Sequence, residues 1–180
     1  VYLPARKETG FLPDLDAIAK ADLERAAVFY LCTPVNPQGA VASLDYLKRA
    51  VELARRHDFL LVVDECYAEI YDKVPPPGAL EACAALGGSM DNVVIAHSLS
   101  KRSSAPGLRS GFVAGSPDSI QAFVNVLNYG AAGMSQPTLA AATALWSDEK
   151  HVDANREIYR RNFDIADKVD RKSTRLNSSH

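Results

Sequence analysis

Short apolar runs alternate with segments whose apolar positions recur every three to four residues. Three runs have strand length: "AVFYLC" (Ala27 to Cys32), "FLLVVDE" (Phe59 to Glu65) and "NVVIAHS" (Asn92 to Ser98). A fourth, "RSGFVAG" (Arg109 to Gly115), is weaker. Between the first two lies "SLDYLKRAVELARRHD", where Leu44, Leu47, Val51 and Ala54 share one helical face and Ser43 can cap the start. "DLDAIAKADLERA" (Asp14 to Ala26) also reads as a helix, with Asp14 as its cap behind Pro13. "PVNPQGA" and "KVPPPGA" carry turn residues and read as loops. From Pro117 onward the pattern is helical in three pieces: "SIQAFVNVLNY", "QPTLAAATALW" and the long "DEKHVDANREIYRRNFDIADKV". Strands alternating with helices predict an α/β fold, a mostly parallel sheet with flanking helices, followed by a helical C-terminal stretch.

The polar residues that interrupt this pattern fall at strand ends. The three strands lead in order to Asn36, to Asp64, and to Ser98 with Lys101. In an open parallel sheet the carboxyl ends of the strands line the ligand crevice, so these side chains are expected on one edge. Asp64 follows "LLVV" directly, and a carboxylate at the mouth of a core needs a donor or a cation. It could equally cap a helix or pair with an arginine. Tyr67 can point its hydroxyl into the same crevice or simply pack. Lys101 lies in "HSLSKRSSAPGLRSG". A lysine held against an apolar wall becomes a nucleophile toward carbonyls. Arg109, Ser98 and Ser100 offer donors that suit a phosphate. "SLSK" alone could be a polar surface turn. Taken together, a Schiff-base lysine, a Ser and Arg for phosphate and a buried Asp are what pyridoxal 5'-phosphate requires. The acid holds a protonated pyridine nitrogen, which makes the ring an electron sink.

Composition narrows the partners. The 180 residues are 47% hydrophobic and 23% charged, a globular balance, with net charge −2. No basic footprint for nucleic acid and no run long enough to span a bilayer is present, so neither is expected as a partner. Cys32, Cys66 and Cys83 lack metal-ligand or CxxC spacing; free thiols in a reducing cytoplasm are expected, and no metal. His97, after a buried strand, reads as a hydrogen-bonded core residue, and Trp146 as packing.

"CTPVNPQG", "VVDECYAEIY" and "SLSKRSSAPGLRSGFVAG", in this order and spacing, resemble the signature segments of class I/II aminotransferases, the fold-type I pyridoxal-phosphate enzymes, over roughly Tyr2 to Lys168. The resemblance implies that Lys101 carries the cofactor and moves the substrate proton, that Asp64 pairs with the pyridine nitrogen, and that Asn36 and Tyr67 bond the phenolic oxygen. It further implies that Ser98 and Arg109 hold the phosphate, and that Gly39 and Gly111 stand where a side chain would intrude. Lys101, Asp64 and Tyr67 would be the catalytic residues. "PPPGALEACAALGG" and the lysine segment are similar to bacterial succinyldiaminopimelate transaminases. The implied activity moves an amino group between an amino acid and a 2-oxo acid, with N-succinyl-L,L-diaminopimelate and 2-oxoglutarate as the pair in lysine biosynthesis. A cytoplasmic homodimer is implied, with "YGAAGMSQP" (Tyr129 to Pro137) near the neighbouring subunit. A C–S lyase or decarboxylase on the same scaffold, or an aminotransferase-like effector domain of a transcriptional regulator, stays open.

The family also carries an N-terminal phosphate turn with a stacking aromatic residue, and a C-terminal arginine for the substrate carboxylate. Neither matches a segment here, and Arg156, Arg160 and Arg161 are not assigned that role. The chain is therefore expected to be a central piece. Residues 1–146 would form an N-terminally truncated large domain, 147–170 a long helix leading to a small domain, and 171–180 a polar tail outside the fold.

Overall fold

The computed structural model describes residues 1–131 and 133–177, with side chains through Asp170. Strands β1 (Val28–Cys32), β2 (Leu60–Asp64), β3 (Val93–Ser98) and β4 (Gly111–Gly115) form one sheet in the order β1-β2-β3-β4. The first three are parallel, and β4 runs antiparallel to β3. The register pairs Cys32 with Asp64, Asp64 with Ala96, and Ser98 with Gly111. The ends of β1, β2 and β3 and the start of β4 therefore share one edge. The α/β class and mostly parallel sheet predicted from the sequence are observed.

Parallel neighbours need crossover connections, and these bring helices onto the sheet. Helix α1 (Lys20–Leu23) is a single turn, and α2 (Leu44–His57) connects β1 to β2. Ser43 Oγ accepts from the Tyr46 N–H at 3.1 Å, and Asp58 ends α2 in a left-handed conformation at φ 54°. Leu47, Ala50, Val51 and Ala54 are its buried face. Helix α3 (Ala79–Ala85) packs against α2 and buries Ala79, Ala82 and Cys83. Facing alanines let helix and helix approach closely. Leu61 and Val63 of β2 are completely buried while Leu60, Val62 and Asp64 are half-exposed, the two-residue alternation of a strand with one fully covered face. Phe59, with its ring edge-on to Phe29 at 6.3 Å, closes the bottom of this core.

Beyond the sheet come α4 (Leu99–Arg102), α5 (Pro117–Gly130), α6 (Gln136–Trp146) and α7 (Lys150–Asn177). Ser116 and Ser135 cap α5 and α6, each followed by proline within the first two helical positions, where a missing N–H costs nothing. Helix α7 runs on into the segment expected to be a tail; residues 178–180 lie outside the described residues. Among the described residues no helix is long and apolar enough to cross a membrane.

Two elements differ from the sequence expectation. Residues 14–26 do not form one helix. Asp14 caps a short 3-10 turn, Leu15–Ala17, by accepting from Asp16 N–H at 3.0 Å; Ile18 and Ala19 are extended, and only then does α1 begin. In this arrangement Leu15 enters the core, with Ile18 and Leu23 packed against it. Helix α3 is the second difference. The sequence pattern does not predict it, because "PPPG" precedes it and its alanines give no amphipathic contrast.

Candidate active site

A cavity of about 440 Å³ opens at the sheet edge, lined by Asp64, Cys66, Ala96, His97, Ser98, Ser100, Lys101, Pro106 and Arg109. Four of the six predicted site residues thus share one cavity although they come from three segments of the chain. Asp64 arrives at the end of β2. Its Oδ1 accepts from the Cys66 N–H at 3.0 Å, turning the chain sharply as the strand ends. The partner of this acid is therefore its own turn, neither a helix end nor an arginine.

Ser98 ends β3 and caps α4: its Oγ accepts from the Ser100 N–H at 3.1 Å and lies 2.9 Å from Ser100 Oγ. The cap starts a turn of helix at the cavity rim, and Lys101 projects from it. The Lys101 ammonium lies 5.5 Å from the centre of the Tyr67 ring, within cation–π reach. Arg109 enters from the other side of the loop at φ 51°, with Nη1 donating to Pro106 O at 2.9 Å. That bond folds the guanidinium against its own loop at the cavity wall.

Asn36 and Tyr67 meet next door. Asn36 Nδ2 donates to Tyr67 Oη at 2.8 Å, joining the β1 loop to the turn after β2. The two line a second cavity of about 670 Å³ with Ile70, Tyr71, Pro77 and Phe163, so Asn36 does not border the Lys101 cavity; the Tyr67 ring stands between the two spaces. The loop that offers Asn36 is pinned by Ala42 N–H donating to the buried Thr33 Oγ1 at 3.0 Å.

The glycines act in two different ways. A Cβ on Gly111 would overlap the His97 carbonyl oxygen, so a side chain there does intrude. Gly39 has open space around it; its requirement is conformational, since it sits at φ 71°.

Electrostatics at this edge centre on Asp64. Burial, the hydrogen bond to Asp64 and the carboxylate's charge push the Cys66 thiol up to about 12. Burial and the same charge also raise Cys32 and the Tyr30 hydroxyl. Cys32 and Cys66 are half-buried thiols, and among the described residues no cluster of three or more His, Cys, Asp and Glu could hold a metal.

Two supporting residues, Glu65 and Arg102, escape a sequence reading, while His97 is hydrogen-bonded and Trp146 packed, as expected. Glu65 is buried; Oε1 accepts from the first N–H of α3, at Ala79, at 2.7 Å, and Oε2 lies 2.9 Å from His97 Nε2. His97 also stacks on Phe112 at 5.2 Å, and Phe112 meets Trp146 edge-on at 4.9 Å. The Glu65–His97 pair spans the strand ends that carry Asp64 and Ser98. The signal for it lies in "DE": strand alternation sends the second acid to the opposite face, toward the core. Arg102 is buried as well, donating to Leu145 O at 2.8 Å, paired with Glu149 and stacked on Trp146.

An amine, a carboxylate, hydroxyls and a guanidinium meet at one edge of a mostly parallel α/β sheet. Residues 1–169 match the family Aminotransferase class I and II, and the chain belongs to that pyridoxal-phosphate-dependent family. It is similar in structure to aminotransferase AspB from Helicobacter pylori 26695, with TM-score 0.84 and 41% identity over 92% of this chain and 44% of that chain. It is also similar to the probable N-succinyldiaminopimelate aminotransferase of Thermus thermophilus, with TM-score 0.78 and 30% identity over 89% of this chain and 42% of that one. In sequence it is 35% identical over 167 residues to LL-diaminopimelate aminotransferase of Dehalococcoides mccartyi, covering 91% of this chain and 42% of the relative. The chain spans about two fifths of the length of the curated relatives it matches.

Proposed function

We propose that the protein carrying this chain is a pyridoxal 5'-phosphate-dependent transaminase that moves an amino group between an amino acid and a 2-oxo acid. The observation that carries this is the single cavity shared by Lys101, Asp64, Ser98 and Arg109. The donor set fits the cofactor group by group. Arg109 and the Ser98 hydroxyl suit a phosphate, Asp64 suits a protonated ring nitrogen, and Lys101 suits the aldehyde. The Asn36–Tyr67 pair suits the phenolic oxygen. Bound there, the cofactor supplies an electron sink for charge developing at the substrate's α-carbon.

The residues of this chain hold and orient the reacting groups. Asp64 keeps its carboxylate aimed by accepting from Cys66 N–H. Lys101 Nζ, on a one-turn helix at the rim, takes a proton from one carbon and returns it to another. Tyr67, beneath the ammonium, limits the directions in which that amine swings.

For the substrate pair we propose N-succinyl-L,L-diaminopimelate and 2-oxoglutarate. The support is the similarity to relatives named for diaminopimelate and N-succinyldiaminopimelate. A cytoplasmic homodimer completes the proposal. Exposed Val126, Tyr129 and Met134 around the end of α5 support an apolar contact there; Ala132 of the same segment lies outside the described residues.

The test uses the full-length protein. Titrating it with pyridoxal 5'-phosphate is expected to produce a visible band that Lys101→Ala lacks, and an amino donor alone, without 2-oxo acid, is expected to bleach it. Identical spectra for the two proteins would overturn the assignment of Lys101. Release of ammonia or carbon dioxide in place of the bleaching would assign the scaffold to lyase or decarboxylase chemistry. Comparing kcat/KM for N-succinyl-L,L-diaminopimelate with that for unsuccinylated diaminopimelate decides the substrate.

A further inference from the structure

Lys101 rides on a helix that cannot hold itself. Helix α4 is four residues long, and forming one isolated turn is unfavourable because several dihedrals are fixed for very little hydrogen bonding. Its N-terminal end is capped locally by Ser98. At its C-terminal end, as at any helix end, the last carbonyls have no partner within the helix. Two of them, Lys101 O and Arg102 O, accept from a side chain far along the chain: Asn155 Nδ2, at 3.2 and 3.3 Å. The other atom of that carboxamide, Oδ1, accepts from Ser104 Oγ at 2.9 Å. One planar group therefore holds the residue that carries the amine, the residue after it, and the start of the loop that follows. The position between them is held from the same helix, with Ser103 Oγ 2.8 Å from His151 Nε2.

We infer that Asn155 is a positioning residue for Lys101: from α7 it caps the turn that carries the amine, and so sets where the amine stands against Tyr67 and Asp64. Asparagine suits this place because it is donor and acceptor at once. Aspartate would keep the bond from Ser104 but face two carbonyls with an oxygen. The inference rests on the proposed role of Lys101 in holding pyridoxal 5'-phosphate, and its test is arranged so that the two fail separately.

In the full-length protein, Asn155→Asp and Asn155→Ala are compared with wild type for pyridoxal 5'-phosphate affinity, for the pH midpoint of the visible band without substrate, and for thermal midpoint. We expect affinity to fall about tenfold, the scale of one or two lost hydrogen bonds, with a displaced pH midpoint. Ser104→Ala, which only frees the carboxamide's other end, should shift both readouts the same way by less. A residue that merely anchored α7 would lower the thermal midpoint and leave affinity and pH midpoint at wild-type values; that result overturns the inference. A cofactor-free readout covers the case in which Lys101 does not bind the aldehyde. The rate at which an amine-reactive reagent labels Lys101 in the apo protein should change at least about threefold in Asn155→Asp, and an unchanged rate overturns the inference on its own.

Discussion

The covered face of the sheet and its carboxyl edge are built on opposite plans. Under α2 and α3, apolar side chains from neighbouring elements meet in a dry layer: Leu47, Val51, Phe59, Leu61, Val63 and Val93 are all almost completely buried. At the edge, polar side chains reach across long stretches of chain. Asn36 bonds Tyr67, Glu65 bonds His97, Asn155 bonds Lys101, and Arg156 of α7 pairs with Glu69 at 2.6 Å while lying over the Tyr71 ring. The first region gains its stability from area removed from water, which has no direction. The second fixes directions, which is what a site needs, and each of its bonds contributes little net free energy. The scaffold can thus be strong while the site stays separately adjustable.

The largest test of this contrast is in the core. Phe59→Ala should cost about 3–5 kcal/mol of unfolding free energy, read from denaturant melts, because the cavity it leaves only partly collapses. Whatever remains folded should keep its cofactor affinity if the two regions are independent. Gly111→Ala strikes their boundary. The new methyl meets the His97 carbonyl, so β3 and β4 must part, at a cost of about 1–3 kcal/mol. Here cofactor affinity should fall along with stability, since Ser98 is paired directly with Gly111.

Acid should loosen the edge before it touches the core. Asp148 accepts hydrogen bonds from the His151 ring and from the backbone at the start of α7, and these hold its carboxyl below the usual range. A depressed folded value gives stabilisation that is present at neutral pH and lost as pH falls through that value. Amide protection in the first turn of α7, taken relative to the intrinsic exchange rate at each pH, should therefore fall on acidification below the ordinary carboxylate range, and Asp148→Asn should remove the effect. The smallest effect is a rate with no stability change. With its thiol at about 12 against an ordinary 9.0, Cys66 at pH 8 holds roughly a thousandfold less thiolate than a free thiol. Iodoacetamide should label it correspondingly slowly, and Asp64→Asn should speed the reaction.

How much of this can be read from the sequence follows the same division. Helix α2 and the strands are legible because a dry layer imposes a period, and its caps, Ser43 and Asp58, are of the residue types such positions favour. That Asp64, Lys101, Ser98 and Arg109 gather at one edge is legible from residue types at strand ends. Their supports are not. Nothing near Lys101 says that Asn155 caps its turn, because that bond joins segments the fold alone brings together. Helix α3 is hidden by alanines that fit several structures, and residues 14–26 by a periodicity that continues through the extended Ile18 and Ala19. The motif groups Asn36 with the other site residues, whereas its side chain belongs with Tyr67 and the larger neighbouring cavity.

The reversal of β4 has one more consequence. Leu99 N–H donates to Ser110 O at 3.1 Å, directly beside the Ser98–Gly111 pairing, so the segment that carries Lys101 and Arg109 is pinched shut at its neck by main-chain bonds, with Ser98 Oγ adding a bond to Ser110 O at 3.4 Å. Such a closed loop behaves as a cartridge. The positions from Lys101 to Ser104 are tied to later helices, but the stretch from Ala105 to Leu108 can be exchanged or stiffened while the neck keeps the same footing on the sheet, so a designer could retune the approach of Arg109 without redrawing a single strand.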